Sequence, residues 1–242
     1  NFLMTTPNQL VDPNITGSVV TQKEIGLDMN FINNRYGFQV TYWEGEEKNF
    51  PYALSVNGAS GFTSLLTNIG RISKKGLEIQ ASARPVVLPG FEWTISGTWS
   101  PLIENNVVEL SPEYGITQTS VAGAWGSTMP YLVHTEGKRW GQIYGNGIKR
   151  INGKPVLDDN GLYVNDPNVY FGSVLPDHTG GIQNSFTFLK DFTANINIDY
   201  QFGGKFVSLS NMWGSYSGLT ARTATINDKG NPIRDAVADG GG

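Results

Sequence analysis

From Phe192 the chain reads Phe-Thr-Ala-Asn-Ile-Asn-Ile-Asp-Tyr-Gln-Phe, and no residue in the run breaks the alternation. On an extended backbone Phe192, Ala194, Ile196, Ile198, Tyr200 and Phe202 fall on one side, and Thr193, Asn195, Asn197, Asp199 and Gln201 on the other. A helix would scatter both sets around its surface, so the run is a strand with one apolar and one polar face. It holds the pattern for about eleven residues, where strands of globular proteins usually stop near five or six. Eleven tilted residues is the length that crosses a bilayer. Amide, hydroxyl and carboxylate groups suit a wall wetted by water, and the opposite face suits lipid. Ahead of the run, Leu189-Lys190-Asp191 makes a short turn from a segment that begins at Gly180-Gly181.

The same two-faced ribbon recurs upstream. Ile25, Leu27, Met29 and Phe31 alternate with Glu24, Gly26, Asp28 and Asn30, and Asn33-Asn34 supplies a tight turn, because Asn tolerates the left-handed backbone. The return strand sets Tyr36, Phe38, Val40 and Tyr42 against Gly37, Gln39, Thr41 and Trp43. A second hairpin places Leu77, Ile79, Ala81 and Ala83, then Phe91, Trp93, Ile95 and Trp99, on the apolar side, with a turn through Pro85 to Gly90. Six spanning strands result. Residues up to about Val20 read as a polar loop, and long outer loops are expected near 44–74, 101–179 and after 204. Short and long connections therefore alternate, the asymmetry of outer-membrane barrels with tight periplasmic turns and extended extracellular loops. Phe31, Tyr36, Phe91 and Phe192 stand at the short-turn ends, and Tyr42, Trp99, Tyr200 and Phe202 at the long-loop ends, as two interfacial girdles would.

Composition agrees. Charged residues are 16%, below the quarter usual for soluble domains, and the chain carries 30 glycines and 12 prolines. No run of about eighteen apolar residues provides a transmembrane helix. The net charge of −4 and the absence of a basic stripe argue against a nucleic-acid partner. With no cysteine there are no disulfides, thiolate ligands or thiol nucleophiles. Asn14-Ile15-Thr16 matches a glycosylation acceptor by chance composition, and Asp158-Asp159-Asn160 reads as a turn, since calcium-loop spacing is lacking. Asn152-Gly153 marks a small hairpin.

Candidate chemistry is thin. His134 and His178 are the only histidines, and both read as solvated loop residues without a nucleophile motif. The inward carboxylates Glu24, Asp28, Glu78, Glu92 and Asp199 read as hydrated wall rather than an acid/base pair. Trp125, Trp140, Tyr144, Tyr163, Tyr170 and Trp213 fall in the outer segments, where aromatic rings suit ligand contact. No catalytic, metal or cofactor-binding residue is assigned, no cofactor is expected, and the chain is read as a non-enzyme.

Six strands do not seal a cylinder, and an open sheet facing lipid leaves backbone groups unpaired at several kcal/mol each. Either the irregular segment, with strand-like runs at Asn106–Leu110 and Arg139–Lys149, adds further strands, or the chain is a slice of a larger barrel; the fold class expected is an all-β, antiparallel transmembrane β-barrel of which this chain is a partial wall. Ordered stretches carry a resemblance: Thr21 to Phe38, Leu66 to Ile79, Phe91 to Trp99, Asn106 to Leu110, Gly141 to Gly145 and Gly180 to Phe186. In that order they resemble the C-terminal part of the barrel in SusC/RagA-type TonB-dependent transporters. The resemblance implies a twenty-two-stranded barrel with an N-terminal plug, covered by a SusD-like surface lipoprotein and driven by the TonB complex through that plug. It implies import of glycan or peptide ligands across a Gram-negative outer membrane, that of the Bacteroidota, with outer-membrane lipid and the remainder of the barrel as partners. Residues 1–242 would be a C-terminal β-barrel segment. The sequence departs from the family in showing no plug, no TonB-box segment, no terminal strand ending in an aromatic, and no aromatic in Leu175 to Thr179. The first residues lack the features of a signal peptide, so a removed leader or a slice of a longer polypeptide is expected. The alternatives are an autonomous small outer-membrane barrel, enzyme or adhesin, and a soluble all-β carbohydrate-binding module.

Overall fold

The computed structural model describes residues 8–122 and 129–241. Its strands, in chain order, are β1 (Gln9–Val11), β2 (Val19–Phe31), β3 (Tyr36–Ser55), β4 (Ser64–Leu88) and β5 (Phe91–Glu109). There follow β6 (Gln118–Ala122), β7 (Tyr131–Thr135), β8 (Lys138–Arg139), β9 (Gln142–Ile148), β10 (Arg150–Ile151) and β11 (Lys154–Pro155). The last are β12 (Asn165–Ser173), β13 (Pro176–Phe188) and β14 (Phe192–Gly203), and one α-helix, α1 (Leu209–Tyr216), comes after them.

The six expected strands form one antiparallel wall in the order β14-β13-β5-β4-β3-β2, with β1 and β8 paired to its outer part. The turns at its near end are short. Ile32, Asn33 and Asn34 all take positive φ between β2 and β3, and Leu189 and Lys190 do so between β13 and β14. Asn was the legible residue; Ile32 at φ 51° is a β-branched side chain held left-handed by the closure of the hairpin. The turn expected through Pro85 is narrower, because β4 continues to Leu88 after a bulge between Ala83 and Val86. Only Pro89 and Gly90 lie between β4 and β5.

The outer connections correct the loop boundaries read from sequence. Residues 44–55 and 64–74 are paired strand, and β5 runs unbroken to Glu109, leaving 56–63 between β3 and β4. The stretch before Val20 also contains β1, paired in parallel with Ser64 to Leu66. These strand ends hide from a pattern reader because they are charged. Their charges meet between strands: Lys74 with Glu47 at 2.9 Å, and Arg71 with Glu46 and Glu109 at 3.4 and 3.7 Å, while Lys48 pairs with Glu46 along β3 itself at 2.7 Å. Opposite charges facing across a sheet stabilise pairing that a loop of like composition would lack.

Contacts divide the chain into two compact units. In the first, the apolar side chains hidden from water are Leu54, Ile69, Ile72, Val107, Leu110 and Val133, all outward of the alternating band. The band itself is exposed: Ile25 at 74%, with Leu27, Phe31, Ile196, Ile198 and Phe202 near half. A soluble sandwich would bury those side chains between two sheets. A further sheet runs in the order β12-β9-β7-β6. In the second unit, β10 and β11 form the expected Asn152-Gly153 hairpin. There Asp158 Oδ1 accepts the N–H groups of Asn160 and Leu162, both at 2.9 Å, as a plain turn. Ser208 caps α1 by accepting the Asn211 N–H at 3.3 Å.

Candidate functional site

The wall presents two faces, and register fixes which residue belongs to which. On the apolar face Phe91, Phe188 and Phe192 share one rung line beside the turns, with Phe188 and Phe192 stacked at 5.7 Å. At its far margin Trp99, His178, Phe202 and Tyr200 form a cluster: His178 lies 6.3 Å from Trp99 and 5.2 Å from Phe202, and Tyr200 lies 5.5 Å from Phe202. Both aromatic rows stand where the sequence placed them. His178 supplies the ring that seemed missing from Leu175 to Thr179, and it sits in β13, not in a loop. Phe192 to Phe202 advances about 34 Å along the strand. At a tilt of roughly 40° that is about 26 Å across the bilayer, the height of an outer-membrane apolar band.

Two glycines make room for rings. A Cβ on Gly76 would lie 2.7 Å from Trp43 Cζ2 and 2.9 Å from the Pro101 carbonyl, so Trp43 rests on bare backbone on the polar side. A Cβ on Gly180 would collide with Tyr200 and with the Thr98 carbonyl. Tyr200 crosses over Gly180 and donates its hydroxyl to that carbonyl at 3.2 Å, tying β14 to β5 past β13. One polar residue lies within the apolar face. Asn184 Oδ1 accepts the indole N–H of Trp93 at 3.1 Å, and Trp93 stacks on Phe186 at 5.9 Å.

On the polar face, Glu24, Asp28, Glu78, Glu92 and Asp199 lie opposite Trp43, Gln39, Thr41, Thr187 and Gly181. No rung brings two of them together. Asp28 accepts from Gln39 at 2.8 Å, and Glu92 lies 3.8 Å from Arg84.

Farther out on this face the wall forms a recess of about 400 Å³ whose lining includes Glu47, Phe50, Lys74, Asn105, His134 and Trp140. Register brings β3, β4 and β5 side by side, with Lys74 opposite both Gly45 and Asn105. Beyond Pro101, β5 leaves β13, and β8 takes its place against Asn106 and Val107. The Trp140 N–H then donates to the Asn105 carbonyl at 2.8 Å, and the Trp140 carbonyl accepts from Ser173 Oγ at 2.8 Å. Arg139 closes the gap by donating to the Pro176 carbonyl at 2.8 Å and pairing with Asp177. Trp140 is thus held at both ends.

His134 corrects the reading of a solvated histidine. It sits in β7 at 9% exposure, its ring 4.5 Å from Trp140. The Gly141 N–H donates to its Nδ1 at 3.2 Å, so the neutral ring carries its proton on Nε2. Burial holds its pKa below the ordinary imidazole value, against a smaller opposite effect of the Val133 backbone. Asn105 Oδ1 and Gln142 Oε1 are buried without a hydrogen-bond partner among the described residues.

Of the outer aromatics among the described residues, Trp140 lines this recess. Tyr144 and Tyr170 come together in the second unit at 5.5 Å, joined by Tyr131 at 6.4 Å, a residue the sequence reading passed over. Tyr163 is exposed, and Trp213 on α1 packs edge-on against Tyr216 at 5.8 Å. Trp125 lies outside the described residues. Among the described residues no group of three or more His, Asp or Glu side chains could hold a metal ion.

No protein-family model matches the chain. Three TonB-dependent receptors of Formosa agariphila are similar in sequence: 27% identical over 139 residues, 22% over 216 and 21% over 209. These alignments cover 57%, 81% and 80% of this chain, but only 12%, 21% and 21% of the receptors. The chain therefore spans about a fifth or less of their length. A solved structure of the RagAB peptide transporter aligns with 76% of the chain at a TM-score of 0.59 and 16% identity. A structure of the RagAB peptide importer in its open-open state aligns with 80% at 0.62 and 16%, and each alignment takes 21% of the solved chain. By its two-faced antiparallel strands, its aromatic rows and these likenesses, the chain has the fold of a partial β-barrel wall like that of the RagAB transporter, and it is similar in sequence to TonB-dependent receptors.

Proposed function

We propose that this chain is the C-terminal wall of a TonB-dependent importer in the outer membrane of a Gram-negative bacterium. The observation that carries the reading is the exposed apolar face: rings and branched aliphatics from Phe31 to Phe202 are turned out of the fold, in a band about one bilayer tall. The two ends of the sheet, β2 and β14, pair with no further strand among the described residues. In lipid such edges require the remainder of the barrel. The role of these residues is passive: they seal against lipid on one face and present a wet wall to cargo on the other, without a catalytic step. A plug outside this chain couples to the TonB complex, a SusD-like surface lipoprotein covers the outer mouth, and the cargo is a glycan or peptide too large for porins. The outer parts of 44–74, 101–179 and the residues after 204 face the extracellular side.

These residues contain no cysteine, so single cysteines introduced here, with any elsewhere in the full protein replaced, give a clean test. In the full transporter in intact outer membranes, Asn197→Cys is expected to react with a water-soluble maleimide and Ile198→Cys to resist it until detergent is added. Equal labelling of both in membranes would end the reading. The same cells should lose uptake of the cargo when TonB is inactivated.

A further inference from the structure

We infer that the apolar face carries a seat for one glycerophospholipid of the periplasmic leaflet, with an acyl chain in a groove over Gly97 and the phosphate on Arg35. The inference rests on the importer reading above, in which this face meets lipid, and adds a particular lipid and its place.

The groove follows from register. Phe38, Ala81, Gly97 and Ile182 form one rung across β3, β4, β5 and β13, and Tyr36, Ala83, Ile95 and Asn184 form a neighbouring one. The small residues Ala81, Ala83 and Gly97 are flanked by Phe38 and Tyr36 on one side and by Ile95 and Ile182 on the other. The face therefore sinks between them into a groove of about 480 Å³. Elsewhere on the wall the space over a glycine is filled from within, by Trp43 at Gly76 and by Tyr200 at Gly180. At Gly97 it is left open: among the described residues a Cβ there would meet the Gly181 carbonyl alone, at 3.7 Å. On a wall facing lipid the groove is filled by hydrocarbon, and a flexible acyl chain fits a narrow trough that would otherwise forfeit dispersion contacts.

The charge at the end of the groove selects the headgroup. Arg35 stands one position beyond the pair of Tyr36 and Ala83, where the groove ends. Its Nε donates to the Arg84 carbonyl and its Nη2 to the Pro85 carbonyl, both at 2.8 Å, which lays the half-buried guanidinium across the end of β4. Among the described residues Nη1 donates to no acceptor and Arg35 pairs with no carboxylate, whereas its neighbour Arg84 is met by Glu92 at 3.8 Å. A cation at the margin of the lipid band is stabilised by an anion at its own depth, and a planar guanidinium with open N–H groups suits a phosphate. The short turns mark the periplasmic end in this reading, and the leaflet there is made of glycerophospholipids. Such a lipid supplies phosphate and acyl chain in the order in which Arg35 and the groove follow each other along the wall. An apolar protein face laid over the groove would bring no anion to Arg35.

The test is native mass spectrometry of the full-length transporter in detergent. It is titrated with palmitoyl-oleoyl phosphatidylethanolamine and, as the phosphate-free probe, with the diacylglycerol bearing the same chains. A tight phosphatidylethanolamine adduct is expected above the weaker background. Gly97→Leu, which fills the groove, and Arg35→Gln, which removes a charged hydrogen bond, should each weaken it about tenfold. The diacylglycerol should bind the unaltered protein about tenfold more weakly and be indifferent to Arg35→Gln. Ile25→Leu, on the same face outside the groove, should leave both unchanged. Where Gly97→Leu gives no heat-modifiable folded band, Ala81→Leu fills the same floor from β4. The seat is overturned by a tight adduct indifferent to the groove and Arg35 changes, by no adduct above background, or by a Gly97→Leu variant that loses a dimer contact and keeps its lipid. Maleimide labelling separates the two levels. Protection of Ile198→Cys in membranes without a phosphatidylethanolamine seat rejects the seat and keeps the importer, whereas free labelling of Ile198→Cys rejects both.

Discussion

The bond between Trp93 and Asn184 offers a measurement of how dry the apolar face is. Trp93→Phe retains a ring against Phe186, where the planes are 13° apart, and removes the indole N–H that Asn184 accepts at 3.1 Å. In water the freed amide would find a solvent donor and the change would cost little. In lipid the acceptor stays empty. Leaving a buried acceptor open costs about 1–3 kcal/mol, and hydrogen bonds measured inside membranes average nearer 0.6, with about 1.7 at most. We therefore expect Trp93→Phe to destabilise the barrel by about 1–2 kcal/mol. Asn184→Leu removes a polar group from the lipid band while stranding the indole N–H, so its effect should lie near zero. The double variant should recover most of the loss, giving a coupling of about 1 kcal/mol or more. The assay is the denaturant midpoint for loss of the heat-modifiable folded form of the full transporter in lipid vesicles. Single effects that add within about 0.3–0.5 kcal/mol, the range for independent sites, would show that this part of the face is wet and that the orientation of the wall is wrong.

Gly180→Ala forces Tyr200 off its position and presses a methyl on the Thr98 carbonyl, so a loss of about 1–3 kcal/mol is expected in the same assay. Removing the ring as well, by Tyr200→Ala, should not rescue it, because the backbone contact remains. Gly76→Val should expel Trp43 from its seat, read as a red shift in tryptophan emission and a similar loss of stability. The lowered pKa of His134 fixes a pH dependence. Its contribution to stability is complete above the ordinary value of 6.5 and is lost as pH falls through the lower folded value. A proton on Nδ1 would confront the Gly141 N–H, so hydrogen exchange in residues 133–142, corrected for intrinsic rate, should accelerate between pH 7.5 and 5.5. His134→Gln should abolish that acceleration.

The six spanning strands were legible because lipid on one side and water on the other impose a period of two that local sequence records directly. Asn33-Asn34 and Asn152-Gly153 were legible for the same local reason, since they name their own backbone conformation. The outer halves of β3 and β4 were not. Glu44 to Lys48 and Lys74-Lys75 look like loop when read singly, and become strand only through ion pairs whose partners are as far apart in the chain as Lys75 and Glu104, 2.5 Å apart in space. The recess was illegible on the same ground. Its lining is drawn from β3, β4, β5, β7 and the segment around Trp140, and nothing near Asn105 in sequence announces an unsatisfied oxygen. His134 looked solvated because it falls in the irregular segment read as an outer loop, whereas β7 and the Trp140 ring six residues on enclose it.

The strands that cross the oily layer do not stop at its surface. β4 alone runs 25 residues, roughly 80 Å along its length, so one continuous ladder is rooted in the membrane at one end and stands in the medium at the other. Force applied at its rim reaches the anchored half through backbone hydrogen bonds, and a stave yields first at its bulges, between Arg71 and Ile72 and between Lys75 and Gly76, where the ladder with β5 skips a rung.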